Sequence, residues 1–139
     1  MVVLDTNVVS ELMKGEPSAS VITWVRQQPV AELFTTSITE AEIFYGIELL
    51  PAGKRREALV EAAEGAFAED FAGRILVFDS AAARAFARLA ANFRRTGHPR
   101  TQADTQIAAI ALTRGAKVAT RNVAHFRDCG IDLVNPWTG

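Results

Sequence analysis

Five short apolar or β-branched runs punctuate the chain, at 2–5, 32–37, 75–79, 118–121 and 131–134. The first, Val2-Val3-Leu4, has no polar position, the pattern of a strand buried on both faces. Helical spacing fills most of the intervals. Residues 18–28 follow Pro17 and carry Val21, Ile22 and Val25. Residues 39–50 read as a mostly buried helix, and residues 54–71 as an amphipathic one after Pro51 and Gly53. Residues 80–96 start at Ser80 and stop at Gly97-His98-Pro99, and the Ala- and Ile-rich stretch 103–114 ends at Gly115. Strands alternating with helices predict an α/β fold: a three-layer α/β/α sandwich around a mainly parallel five-stranded sheet. No repeat, low-complexity segment or linker interrupts the pattern, so 1–139 reads as a single domain.

Composition narrows the class. The 139 residues are 49% apolar and 22% charged, the balance of a soluble globular domain with a real core. No apolar run approaches the ~20 residues of a membrane span, and no basic-then-apolar leader opens the chain. Cys129 is the only cysteine, which excludes an internal disulfide and a cysteine-based zinc site and fits a reducing, cytoplasmic setting. The net charge of −1 is unevenly spread. From Ser80 to Ala103 there is no acid, while Arg84, Arg88, Arg94, Arg95 and Arg100 fall there with His98. Residues 57–70 carry Glu57, Glu61, Glu64, Glu69 and Asp70.

Three acids stand where apolar segments begin or end. Asp5 closes the first run, and in open α/β sheets ligands bind beyond the carboxyl ends of strands. Glu42 lies near the start of the 39–50 helix. There it also fits a capping box, with Thr39 as N-cap and Glu42 as the reciprocal partner. Asp104 shares a helix face with Ile107, Ala108 and Ala111, and an acid on an apolar face must be paired, metal-bound or protonated. It also suits the first turn of a helix dipole. If the three converge, each pair at ~5 Å repels by roughly 3 kcal/mol at an effective dielectric of ~20. A cation would relieve that repulsion. All-oxygen ligands without His or Cys favour Mg²⁺, with Mn²⁺ as a substitute, over Zn²⁺.

Six stretches, in order, carry a resemblance: Leu-Asp-Thr-Asn at 4–7; Ser-Ile-Thr-Glu-Ala-Glu at 37–42 with Gly46; Phe-Ala-Gly-Arg-Ile-Leu at 71–76; Ala-Asp-Thr-Gln-Ile-Ala-Ala at 103–109; Val-Ala-Thr-Arg-Asn at 118–122; and Asn-Pro-Trp at 135–137. Together they resemble the PIN domain, specifically VapC-type toxin nucleases near the FitB subgroup, over nearly the whole chain. The resemblance implies a Mg²⁺-dependent endoribonuclease, the toxin of a type II toxin–antitoxin pair. It also implies a homodimer and a small DNA-binding antitoxin as partner. Asp5, Glu42 and Asp104 match three family acids, which act in catalysis and hold metal. Thr6 and Thr120 match hydroxyl positions near the metal. Many PIN nucleases carry a fourth acid where this chain has Asn122. An amide oxygen can orient a metal-bound water but adds no charge. The alternative is therefore a catalytically weak PIN-fold partner that acts mainly through antitoxin and operator binding.

Other residues read more plainly. Glu40 points away from Glu42 on a helix and reads as a solvated acid. Asp79 reads as the cap of the helix that follows it. His98 and His125 read as turn and short-helix residues outside the chemistry, and Trp24 and Trp137 as core or interface. The acid-free arm runs into Asp104, so Arg84, Arg88, Arg95 and Arg100, together with Arg121, are the candidate RNA contacts. Two other strand-end aspartate chemistries fit less well. A phospho-accepting receiver needs a Lys at the end of its last strand, whereas Lys117 precedes one. A haloacid-dehalogenase-type phosphatase needs Asp where Asn7 stands.

Overall fold

The computed structural model describes all 139 residues. Five strands, β1 (Val2–Leu4), β2 (Leu33–Thr36), β3 (Ile75–Leu76), β4 (Lys117–Ala119) and β5 (Leu133–Val134), form one sheet in the order β3-β2-β1-β4-β5. Every pairing is parallel. The helices are α1 (Thr6–Leu12), α2 (Ala19–Arg26), α3 (Ser37–Glu48), α4 (Lys54–Gly65), α5 (Ser80–Arg95) and α6 (Gln102–Thr113). None is long and apolar enough to cross a membrane.

The period-2 alternation of the central strand builds both sides of the sandwich. Val2 and Leu4 enter a core with Val8 and Val9 of α1, Val21 of α2, Ile43 and Ile47 of α3, and Phe67. Val3 enters the opposite core with Phe93 of α5 and Ile107, Ile110 and Ala111 of α6. In β4, Val118 and Ala119 divide the same way. Full burial of a Val or Leu side chain is worth about 1.5–3 kcal/mol, so these few strand residues anchor both layers.

The structure departs from the sequence pattern at several local points. Helix α1 was not expected. Its apolar stripe of Val8, Val9 and Leu12 is only one turn and a half long, and it follows Asp5-Thr6-Asn7, which reads as a polar strand exit. Helix α3 begins at Ser37, not 39, because the Thr36 hydroxyl accepts from the Thr39 backbone N–H at 3.1 Å. The capping box expected of Thr39 and Glu42 is therefore absent. Nor is the 39–50 segment mostly buried: Tyr45 in α3 and Leu49 just after it are 66% and 68% exposed, while Ile43 and Ile47 face the core. The last run of helix 54–71 widens into a π-helical segment at Ala66–Asp70. At the sheet edge, β3 stops at Leu76, and Asp79 caps α5 by accepting from the Ala82 N–H at 2.9 Å.

The strand order positions the site. From β1 the chain moves to one side for β2 and β3, then crosses to the other for β4 and β5. The carboxyl ends of β1 and β4 therefore flank the point where the winding reverses, where α/β sheets leave a crevice.

Candidate functional site

Asp5 extends the ladder, its N–H donating to the Ala119 carbonyl at 3.0 Å, and then caps α1. Its side chain is almost fully buried and accepts from three donors. Oδ1 accepts from the Thr6 N–H at 2.8 Å, and Oδ2 accepts from the Thr120 hydroxyl at 2.8 Å and the Asn7 amide at 3.2 Å. Burial lifts its pKa from 3.8 to about 6, against the hydrogen bonds from Thr120 and Thr6, with the charges of Asp104 and Glu42 adding to the rise. Thr120 follows β4 directly and is buried. Its oxygen also accepts from the Asn122 N–H at 3.0 Å and from Asn7 at 3.4 Å.

Glu42 sits in the second turn of α3 with an exposed carboxylate, and Oε1 accepts from the Thr6 hydroxyl at 2.7 Å. Three hydroxyls lead to it in series. Thr36 donates to Thr39 at 3.4 Å, Thr39 meets Thr6 at 3.1 Å, and Thr6 donates to Glu42. Asp104 stands in the first turn of α6, which Thr101 caps by accepting from the Asp104 N–H at 3.2 Å. Asp104 Oδ2 lies 3.0 Å from Nδ1 of His125, in the 3₁₀ turn Val123–Phe126 after β4.

Asp5, Glu42, Asp104, Thr6 and Asn122 line one polar cleft of about 430 Å³, and Asn7, Glu11, Lys14, Arg121 and Trp137 share its walls. Thr120 lies beneath, behind Asp5. No three His, Cys, Asp or Glu side chains are gathered tightly enough to hold an ion as they stand. The donor chemistry nonetheless fits a hard divalent cation: four carboxylates, of which Glu11 is already paired with Lys14, two side-chain amides, no sulfur, and a desolvated acid raised further by its two acidic neighbours. Mg²⁺ keeps several waters and takes few direct carboxylates, so an open cleft suits it better than a closed cage.

Several contributors to the cleft were not anticipated. Asn7, Glu11 and Lys14 lie on one face of α1 and just beyond it, at spacings of four and three. Reading that helix from Val8, Val9 and Leu12 would have found them. Glu11 is buried, and its carboxylate is held below the usual range by the Lys14 ammonium at 2.9 Å and the Ser18 N–H at 2.9 Å. His125, which no sequence pattern ties to the acids, touches Asp104.

The arginines divide. Arg84, Arg88 and Arg95 are exposed on α5 and do not line the cleft. Arg121 lines it, with its N–H donating to Asn7 Oδ1 at 3.2 Å and its guanidinium 5.0 Å from the Trp137 ring. Arg100, the remaining member of the expected basic arm, has structural contacts of its own. Its guanidinium donates to the His125 and Arg127 carbonyls at 2.8 and 2.9 Å and lies 4.2 Å over the Phe93 ring, so it braces the fold.

A parallel α/β/α sandwich with carboxylates gathered at the winding switch of its sheet defines a class of domain, and comparison identifies the class. The PIN domain model matches residues 2–130, and the chain belongs to the PIN domain family. It is 43% identical over 137 residues to the VapC ribonuclease Y4jK of Sinorhizobium fredii, covering 99% of this chain and 98% of that protein. It is 35% identical to Toxin FitB of Neisseria gonorrhoeae, covering 99% of each. The solved structure of FitAB bound to the IR36 DNA fragment superposes with a TM-score of 0.89 at 35% identity, over 99% of this chain and 96% of that one.

Proposed function

We propose that this protein is the toxin of a toxin–antitoxin pair and acts as a divalent-metal-dependent endoribonuclease, with Mg²⁺ as the working ion and Mn²⁺ as a substitute. One observation carries the reading: Asp5, Glu42 and Asp104, from three separated segments, line the same cleft in a chain closely similar to a VapC ribonuclease. Asp5, Asp104 and Glu42 would hold the metal, with Asn122 beside them. Bound there, a divalent ion supplies an activated water and neutralises the charge that develops in phosphodiester hydrolysis. The chain's own residues do the rest. Thr120, Asn7 and the Thr6 N–H aim the Asp5 carboxylate, and the Thr6 hydroxyl aims Glu42. Arg121 and Lys14 bring positive charge to the rim, where a phosphate backbone would pass. Arg84, Arg88 and Arg95 would extend that track along α5. The antitoxin is proposed as a small DNA-binding protein, in keeping with the DNA-bound FitAB complex, and the toxin as a homodimer in the cytoplasm.

A second reading draws on Asn122 and on the openly spaced acids: a weak nuclease acting mainly by binding the antitoxin and its operator. Cleavage of single-stranded RNA by the purified protein separates the two. The nuclease reading expects Mg²⁺- or Mn²⁺-dependent cleavage that stops in EDTA. Asp5→Asn and Asp104→Asn should each cut the rate by about 100-fold or more while the protein stays folded. Undiminished cleavage by Asp5→Asn, with contaminating nuclease excluded, would refute the site.

A further inference from the structure

Two of the three acids proposed to hold the metal have dedicated hydrogen-bond donors. Asp5 has Thr120 and Asn7, and Glu42 has Thr6. The third, Asp104, has its side-chain contact with His125: Nδ1 of His125 lies 3.0 Å from Asp104 Oδ2. We infer that His125 is a positioning residue for Asp104, holding Oδ2 so that Oδ1 is the oxygen presented to a cation in the cleft. The inference rests on the metal-nuclease reading above.

Three features favour a positioning role over an incidental surface pair. First, the Asp104 side chain is only 18% exposed and lines the cleft, so its orientation matters there more than it would on an open helix face. Second, His125 is itself held. Its N–H donates to the Asn122 carbonyl at 2.9 Å, its carbonyl accepts from Arg100 at 2.8 Å, and its neighbour Phe126 is fully buried. Arg100 thus ties the segment before α6 to the turn after β4, and so fixes the distance between the two residues that must meet. Third, the contact needs only a proton on Nδ1, which the imidazolium and one neutral tautomer both carry. Residues that orient a metal ligand through a hydrogen bond typically change affinity 10- to 100-fold when removed.

The test is calorimetric titration of Mn²⁺ into the full chain, at one pH and without RNA, for wild type, His125→Ala, His125→Asn, His125→Gln and Asp104→Asn. The Asn amide nitrogen falls near the place of Nδ1, and the Gln nitrogen near that of Nε2. His125→Ala should weaken Mn²⁺ binding about tenfold. His125→Asn should recover to within about threefold of wild type, and His125→Gln should behave like Ala. In cleavage assays kcat should fall in His125→Ala, with KM for RNA unchanged. The half-exposed ring makes a folded variant the expectation, and His125→Asn provides a conservative second case. If His125→Ala binds Mn²⁺ as wild type does while Asp104→Asn does not, the positioning role is overturned and the metal site stands. A raised KM with unchanged metal affinity also overturns it, making His125 an RNA contact. Recovery by Gln equal to that by Asn rules out Nδ1 as the working atom. If Asp104→Asn also binds Mn²⁺ as wild type does, the metal reading of the cleft fails and takes this inference with it.

Discussion

The Thr120 hydroxyl donates to Asp5 Oδ2 at 2.8 Å, joining residues 115 positions apart at the adjacent ends of β4 and β1. The same oxygen accepts from Asn122 N–H and from Asn7, so one buried hydroxyl organises the floor of the cleft. Thr120→Val keeps the shape and removes this hub. The pKa of Asp5 should rise above about 6, because a hydrogen bond to its charged form is lost. Stability should fall by about 1–3 kcal/mol. A carboxyl NMR titration and chemical unfolding check both. An Asp5 pKa at or below 6 in the variant would mean that the bond does not hold the charge.

Burial of Asp5 predicts a pH dependence of the metal-free protein. Its carboxyl titrates at about 6 when folded and near 3.8 when unfolded. Between these values the folded state binds the extra proton, so the Asp5 contribution falls as pH rises from about 4 to 6 and is flat above. The loss amounts to on the order of 3 kcal/mol. Asp5→Asn should therefore melt higher than wild type in chelator at neutral pH, with the gap closing towards pH 4. Added Mn²⁺ should raise the melting temperature of wild type far more than that of Asp5→Asn. A gap independent of pH would show that burial does not govern this carboxyl.

The basic arm should separate into two effects. Replacing Arg84, Arg88 and Arg95 with Ala should weaken RNA binding and reduce its salt slope, while single-turnover cleavage at saturating RNA changes little. Arg100→Ala should instead cost about 1–2 kcal/mol of stability, since two carbonyls and the Phe93 ring lose their cation. RNA affinity measured across a salt series, alongside unfolding curves, tells them apart. A triple variant that binds RNA as tightly as wild type at every salt concentration would reduce the arm to a solvated face.

Asn122 lines the cleft and adds no charge to it. With Asp5, Glu42 and Asp104 as the proposed metal ligands, one divalent ion should offset most of their charge, and a second should await the RNA phosphate. Asn122→Asp should tighten Mn²⁺ binding without RNA and lower the metal concentration needed for cleavage. Titration of Mn²⁺ into both proteins is the measure. Two tight sites in wild type, or no change on substitution, would place Asn122 outside the metal's reach.

Light scattering checks the proposed homodimer. The expected mass at tens of micromolar is twice that of the chain, and a monomer throughout would count against it.

The unbroken apolar run Val2-Val3-Leu4 and the stripe of Ile107, Ala108 and Ala111 made the parallel sandwich legible from the chain alone. Such periodicities are local, and burial enforces them wherever the segment lies. Asp5, Glu42 and Asp104 were legible for a related reason: each stands beside an apolar segment whose ends the fold must place. Helix α1 was equally local but too short to declare itself beside a strand exit. What only the tertiary structure decided is who meets whom. Thr120 reaches Asp5 because β4 lies beside β1, Thr6 reaches Glu42 because α1 lies beside α3, and His125 reaches Asp104 because Arg100 pins the turn that carries it. A hydrogen bond forms within about 3 Å, and no periodicity along a chain specifies which residues, tens of positions apart, the strand order will bring that close.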